Sequence, residues 1–553
     1  MMRLLLPILF ASFAAAAQTP APADLIVHDA RIYTVDATHP LATAMAVRAG
    51  RVVFVGSGRE AMSLRGANTQ LLDLDGATVI PGMIDAHAHL LGLGLGLRRI
   101  DLRGTTSFDA VVARVVARRD QVAKGEWLRG RGWDQNDWAD TRFPQHAALS
   151  AVTPDHPVYL TRVDGHAALI NAAALKAAGI TRDSKDPDGG RIERDAQGEP
   201  TGVLVDNAMD LVATVVPDPS GDEVSAATEA GIKELNRWGL TGIHDAGVTR
   251  ATIATYERLA QAGRYPLRNY VMVTDNAAAI AWAIKRGAQN GLYDGRIWIR
   301  AIKLVADGAL GSRGAWLLEP YADAPNHSGL ATLKPGHVRE VAMKALNAGF
   351  QVNTHAIGDH ANRAVLDELQ QALDAVPRAD HRFRIEHAQI LHPDDIARFA
   401  TLGVIPSMQS SHQTSDMYWA GQRIGATREL GAYAWRSLLD SGVIIPNGSD
   451  LPVELSNPLI SFHAALSRQD ANDWPAGGWH PEQRMTRDEA LKSITLWPAY
   501  AAFMENEVGS LSVGKRADFV VLDQDLMRVA PEQILRTRVR ATWLGGQRIY
   551  SAD

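Results

Sequence analysis

The chain has 553 residues, 46% of them hydrophobic and 21% charged, an ordinary globular composition with enough apolar material for more than one domain. Its formal net charge of −6 and the lack of any long basic run argue against a nucleic-acid surface, which needs clustered Lys and Arg to neutralise phosphates. With no cysteine, neither a disulfide framework nor a thiolate metal site is open to it, so any metal must be held by His, Asp, Glu or a modified Lys.

Residues 1–17 place one early positive charge, Arg3, before an apolar run and a string of small residues. That run is shorter than the roughly 20 residues a spanning helix needs, so the segment reads as a secretory signal. The expectation is a secreted, periplasmic protein with no stable membrane span once the signal is removed. A Pro/Ala-rich tether follows at 19–23. Residues 24–78 then alternate apolar and polar positions in short pieces separated by Asp29, Gly50, Gly56 and Asp75, which is the pattern of short strands and turns. The C-terminal stretches VGSLSVGKRADFVVLDQDL and RVRATWLGGQRIY have the same texture. Residues 18–78 and 501–553 are therefore expected to build one small β-sandwich from both termini.

Between them, residues 79–500 alternate Val/Ile-rich runs with amphipathic Ala/Leu-rich segments, the signature of parallel βαβ units. At this length the expected fold is α/β, a distorted (β/α)8 barrel, whose chemistry sits at the carboxyl ends of the strands. The first barrel strand, VIPGMIDAHAHL at 79–90, ends in His87 and His89. Positions i and i+2 of a strand face the same side, so both imidazoles are able to converge on one metal; taken alone, such a pair is more often an ordinary core or surface feature. Four more polar residues fall at later strand ends: Lys303 in WIRAIKLVADGALGS, His355 in FQVNTHAIGDHA, His387 in FRIEHAQIL and Asp450 in GVIIPNGSDLPVE. A βα unit takes roughly 25 to 35 residues. One unit separates His355 from His387, and two separate His387 from Asp450, with GVIPSMQ as the strand between. Counting in this way puts the HxH on strand 1, Lys303 on strand 4, His355 on strand 5, His387 on strand 6 and Asp450 on strand 8. The surplus between His89 and Lys303 implies an insertion within about 101–230.

PGMIDAHAHL, IKLVADGALGS, NTHAIGD, RIEHAQI and NGSDLPVE, with RGRGWDQNDW and RVDGHAALIN in the insertion, resemble the motifs of the amidohydrolase superfamily, specifically its family 3 branch. That branch holds N-acyl amino acid deacylases and N-substituted formamide deformylases. The resemblance implies a metal-dependent amidohydrolase that cleaves a C–N amide bond of a small molecule with a metal-activated hydroxide. It implies that His87, His89 and Asp450 bind one metal, that His355 and His387 bind a second, and that Lys303, carboxylated by CO2, bridges the two. Asp450 would also be the catalytic proton carrier. Imidazole and carboxylate donors suit Zn2+, as two ions or one, with Mn, Fe or Co as substitutes. An unmodified Lys303 ammonium pairing with Asp307 is the competing reading at that position. Hydrolysis of a cyclic amide, lactone or ester is the alternative chemistry, and a non-catalytic binding protein of the same fold is the alternative class.

Further residues are expected to shape the substrate pocket. Trp133, Asp134 and Trp138 come together in GWDQNDW, and Arg162, Asp164 and His166 in RVDGHAALIN. They supply either an aromatic wall with a cation for a substrate carboxylate, or insertion-domain packing with an ion pair. The glycine-containing loop after strand 4, with Asp307, Arg313 and Trp316, is expected to close over the substrate. His412 after strand 7 is a further contact, or a solvated loop residue. His166 and His244 lie outside the ligand set as potential supporting donors. A homodimer is the expected assembly.

Overall fold

The computed structural model describes residues 21–552; the expected signal segment 1–17 lies outside the described residues. Seven parallel strands form the central sheet: β1 (Met83–Ala88), β2 (Leu240–Val248), β3 (Arg268–Val273), β4 (Ile297–Val305), β5 (Gln351–Ala356), β6 (Arg384–His387) and β7 (Ile405–Ser407). Each is buried along almost its whole length, as strands covered on both faces by crossover helices must be. An irregular eighth segment closes the barrel. On one side the Met408 N–H donates to Pro446 O (3.1 Å) and the Gly448 N–H to Met408 O (3.0 Å). On the other the Ala86 N–H donates to Asn447 O (3.1 Å) and the Asp450 N–H to His87 O (2.7 Å). The fold is thus α/β with a distorted barrel, in the strand order the sequence spacing predicts.

Local sequence explains the crossovers. Helix Gly221–Arg237 starts at a capping box of Ser220 and Glu223, and helices Arg250–Gln261 and Ala277–Arg286 are capped by Thr249 and Asn276. Helix Gly221–Arg237 packs across Leu90–Gly96 so closely that a Cβ on Gly94 would sit 1.9 Å from the Ala227 carbonyl oxygen. Because it leads directly into β2, this helix belongs to the barrel, although most of it falls within the segment assigned by counting to the insertion. The inserted part proper is a six-stranded sheet running in the order Gly190–Arg194, Pro200–Asp206, Ala167–Ile170, Val158–Arg162, Leu128–Trp133 and Ile100–Asp101.

The two chain ends meet in a pair of sheets. Four strands from residues 25–73 make one, and the other pairs Thr78–Pro81 with Phe519–Leu522 in antiparallel register, Val79 opposite Val521. Their shared core includes Ile32, Val47, Phe519 and Trp543, the last two stacked at 5.2 Å. Among the described residues, no helix is long and apolar enough to cross a membrane.

The barrel is tied to this terminal unit by a buried pair. Arg268, at the start of β3, donates from Nε and Nη2 to Asp518 at 2.5 and 2.7 Å, and both side chains are buried. Removing one partner strands a buried charge, at a cost of about 3–5 kcal/mol. Asp518→Ala is therefore expected to destabilise the protein by about that much, and the double variant Arg268→Met/Asp518→Leu to recover much of the loss. Chemical denaturation of the three proteins side by side checks this.

Candidate metal centre

The carboxyl ends of β1, β4, β5 and β6 converge with the turn after the eighth segment, bringing His87, His89, Lys303, His355, His387 and Asp450 to one cavity wall. Ring centroids of His87 and His387 are 4.9 Å apart, and those of His355 and His387 4.5 Å. Ligating atoms of His87, His387 and Asp450 all lie within 4.8 Å of one another. Asp450 Oδ1 is 3.0 Å from His89 Nε2 and 3.6 Å from His87 Nε2. Two residues of the cluster sit on strained backbone, His387 at φ 73° and Asp450 at φ 55°, conformations that persist only where the surroundings enforce them.

Each imidazole is oriented by its other nitrogen. His87 Nδ1 donates to Glu386 Oε2 at 2.5 Å, His89 Nδ1 to the Ala246 carbonyl at 3.0 Å, and His387 Nδ1 to Gln409 Oε1 at 2.7 Å. The Nε2 lone pairs of these three residues are thereby left for a metal. The His355 ring has no such hydrogen bond: its Nε2 lies 3.3 Å from Asp307 Oδ1 but is buried without a hydrogen-bond partner. Burial pushes His87 below the ordinary histidine range and His355 and His387 well below it, keeping them neutral as ligands must be. Burial also lowers Lys303. For Asp450 burial works against ionisation, but His87, His412 and His89 outweigh it and hold the carboxyl well below the usual range. His87 Nε2 and Asp450 Oδ1 are buried without a hydrogen-bond partner. Uncompensated polar atoms of this kind are costly. Neutral imidazoles beside an ionised carboxylate are a donor set that fits a divalent metal.

Several supporting residues carry no mark in the sequence. Glu386 is fully buried between His87 and Arg384, whose Nε lies 2.8 Å from it, and these partners hold it well below the carboxylate range against the opposing effect of burial. Arg384 also reaches Ser407 Oγ (2.7 Å), the Ala86 carbonyl (2.6 Å) and His244 Nδ1 (2.9 Å), so His244 serves the barrel interior. Asp85 clamps the Asp450 turn to β1 by accepting from the Ser449 hydroxyl (2.5 Å) and the backbone N–H groups of His87 and Ser449. The approach is so close that a Cβ on Gly448 would lie 2.5 Å from the His87 nitrogen.

Cavities flank the cluster on two sides, about 380 Å3 toward His412 and about 430 Å3 toward Arg131. His166 borders both, its Nδ1 2.7 Å from Asp206 Oδ1 and its ring 5.0 Å from that of His355. His412 is buried rather than solvated: Nε2 faces Asp450 Oδ2 at 3.5 Å and Nδ1 faces Glu454 at 3.3 Å. Against the cost of burial, these two carboxylates push it up to about 10. Asp134 and Asp164 line the first cavity but are both bonded to the buried Arg162, whose Nε donates to Gln135 at 2.9 Å.

Other expected pocket residues lie elsewhere. Trp133 is fully buried in the core of the inserted sheet, its ring tilted against that of Trp138 at 6.1 Å and its Nε1 donating to the Leu160 carbonyl at 2.8 Å; it packs that sheet and forms no pocket wall. Arg162 is neutralised by its two carboxylates, which leaves it poorly suited to recognise a substrate carboxylate. Asp307 has no exposed surface and accepts from the backbone N–H groups of Trp316 (2.9 Å), Ile357 (3.0 Å) and Gly358 (2.8 Å). It anchors the loop after β4, touches no substrate space, and makes no ion pair with Lys303 among the described residues. Arg313 is bonded to Asp323 at 2.9 Å, away from both cavities beside the cluster. Trp316 stacks on His360 at 3.8 Å.

Because Glu386 fixes the orientation of His87, Glu386→Gln is expected to lower metal affinity about 10- to 100-fold. Chelator competition measures the change, with circular dichroism as the control for folding.

The sequence matches the amidohydrolase family, Amidohydro_3, over residues 70–550. It is 34% identical to a Bacillus subtilis (strain 168) protein named as an amidohydrolase, YtcJ, across 95% of this chain and 99% of that one. It is 29% identical to the N-substituted formamide deformylase of Arthrobacter pascens, across 95% and 97% of the two chains. Its structure resembles that of an uncharacterised metal-dependent hydrolase from Pyrococcus horikoshii OT3, with a TM-score of 0.74 and 26% identity over 92% of this chain and 99% of the other. With a matching fold, a metal-fitting ligand cluster at the barrel mouth and full-length relatives, the chain belongs to the amidohydrolase family and is a metal-dependent hydrolase.

Proposed function

We propose that the protein hydrolyses a C–N amide bond of a small molecule, with Zn2+ held by His87, His89, His355, His387, Asp450 and a carboxylated Lys303. The observation that carries this reading is the convergence of the His87 and His387 imidazoles on the Asp450 carboxylate beside a cavity, with His87 Nε2 and Asp450 Oδ1 buried and without a hydrogen-bond partner. Zn2+ is favoured because the donors are imidazole and carboxylate and no thiolate is present; Mn, Fe or Co would serve as substitutes. When bound, the metal polarises the substrate carbonyl and lowers the pKa of the attacking water.

The chain's own residues do the rest. Asp450, held ionised, accepts the proton of the attacking water as the carbonyl carbon gains oxygen, then delivers it to the nitrogen as the C–N bond breaks. His412 fixes the carboxylate from its other oxygen. Lys303, whose ammonium form burial disfavours against the opposing pull of Glu386 and Asp450 and which makes no ion pair among the described residues, would form a carbamate with CO2, releasing a proton, and so join the two halves of the ligand set. The relative named as a formamide deformylase supports an amide as the scissile group. The apolar N-terminal leader supports secretion to the periplasm.

The decisive assay is hydrolysis of N-acyl amino acids, N-substituted formamides, aryl amides, lactones and esters by the zinc-loaded mature protein. Amide turnover, abolished by chelation and restored by zinc, is the expected result. Turnover of lactones or esters alone would overturn it. Asp450→Asn is expected to lower kcat about 100- to 10,000-fold, checked by initial rates with metal content measured in parallel. Activity should also decay in CO2-free buffer and return with bicarbonate, and Lys303→Ala should lose bound metal; a Lys303→Ala protein with full metal content and rate would remove the bridge.

A further inference from the structure

The cavity on the His412 side is lined by His387 and Asp450 and has several further carboxylates along its wall. Asp134 and Asp164 share the single cation Arg162, so that trio keeps a negative charge. Glu454 is matched by His412. Asp137 and Asp470, farther along the same wall, have no ion-pair partner among the described residues. Charge lining a concave wall focuses the field on a ligand more strongly than the same charge on an open surface.

A second feature at the same place is aromatic. Tyr418, 52% exposed, lies parallel to Trp474, 46% exposed, with ring centroids 4.6 Å apart and planes 7° from parallel. The Tyr418 hydroxyl donates to Asp470, and Leu455, 53% exposed, lines the same cavity. Large side chains left open beside a cavity mark a binding surface. An aromatic face next to carboxylates is a combination that holds a cation carried on a carbon skeleton.

We propose that this arm selects substrates whose distal end carries an ammonium or guanidinium group, with the scissile carbonyl at the ligand cluster, and disfavours distal carboxylates. The proposal rests on the amide reading only for the identity of the bond cleaved. Arg162 does not counter it, because its guanidinium is already shared by two acids. Arg131 is the cation able to favour a carboxylate, and it borders the other cavity, beside His89.

The test uses the metal-loaded enzyme and three distal charges on one frame: the monoacyl amides of 1,4-diaminobutane, n-pentylamine and 4-aminobutanoate, each as formyl and acetyl derivatives. A parallel set has an ester oxygen in place of the amide nitrogen. The expected order of kcat/KM is ammonium above neutral above carboxylate, with about tenfold between the first two, and the ratio shrinking as salt is raised. Asp137→Asn and Trp474→Ala should each lower the ammonium-to-neutral ratio; Asp470→Asn, whose carboxylate also accepts backbone N–H bonds, is the less specific third variant. The same order seen only among the esters would uphold the charge selection and overturn the amide reading. Equal rates for the three charges, a preference for the carboxylate, or no turnover in either set would overturn the charge selection.

Discussion

Inside the barrel one buried carboxylate, Glu386, is shared between Arg384 and His87, and the geometry of the site depends on that pairing. Glu386 sets the direction of His87, while Arg384 binds β6 to β7 through Ser407 and to β1 through the Ala86 carbonyl. A buried ion pair is costly to break once formed, because each charge left alone stays desolvated. Here the pair is held by strands that must stay in register for the site residues to converge. The network that holds the barrel's polar interior together is also the one that aims its first ligand.

The same economy recurs around the rim. Asp85 links β1 to the turn bearing Asp450, and Asp307 gathers three backbone N–H groups behind His355. The inserted sheet contributes His166 from the end of one strand pair and the Asp134–Arg162–Asp164 strut from another. Buried acids therefore do two kinds of work in this molecule: those bonded to backbone amides fix loops, and those paired with histidines fix ring orientation.

How much of this was legible in the sequence follows from periodicity. His87, His89, Lys303, His355, His387 and Asp450 stand at the ends of apolar runs spaced by whole βα units, so both the barrel order and the convergence could be read. Glu386 and Gln409 could not, because a single acid or amide inside a strand has no spacing rule to expose it. Trp133, Asp307 and Arg313 misled for a related reason. Polar and aromatic residues clustered near a motif look like a pocket wall, but a buried indole satisfied by Leu160 and a carboxylate satisfied by three amides are packing elements, and only three-dimensional partners reveal that. The eighth segment, read as a strand from GVIIPNGSD, is irregular instead, because its contacts to β1 and β7 are made residue by residue at a turn.

The pairing of Thr78–Pro81 with Phe519–Leu522 carries a consequence for the order in which the molecule is assembled. The strand that precedes β1 already has Arg31–Tyr33 on one edge, but its other edge, and the partner of Arg268, are supplied only when residues 518–522 have been made. Contacts of such great sequence separation form late, because loop closure must precede them. Residues 518–522 thus complete, from far along the chain, the sheet edge that leads into β1 and the ion pair at the start of β3.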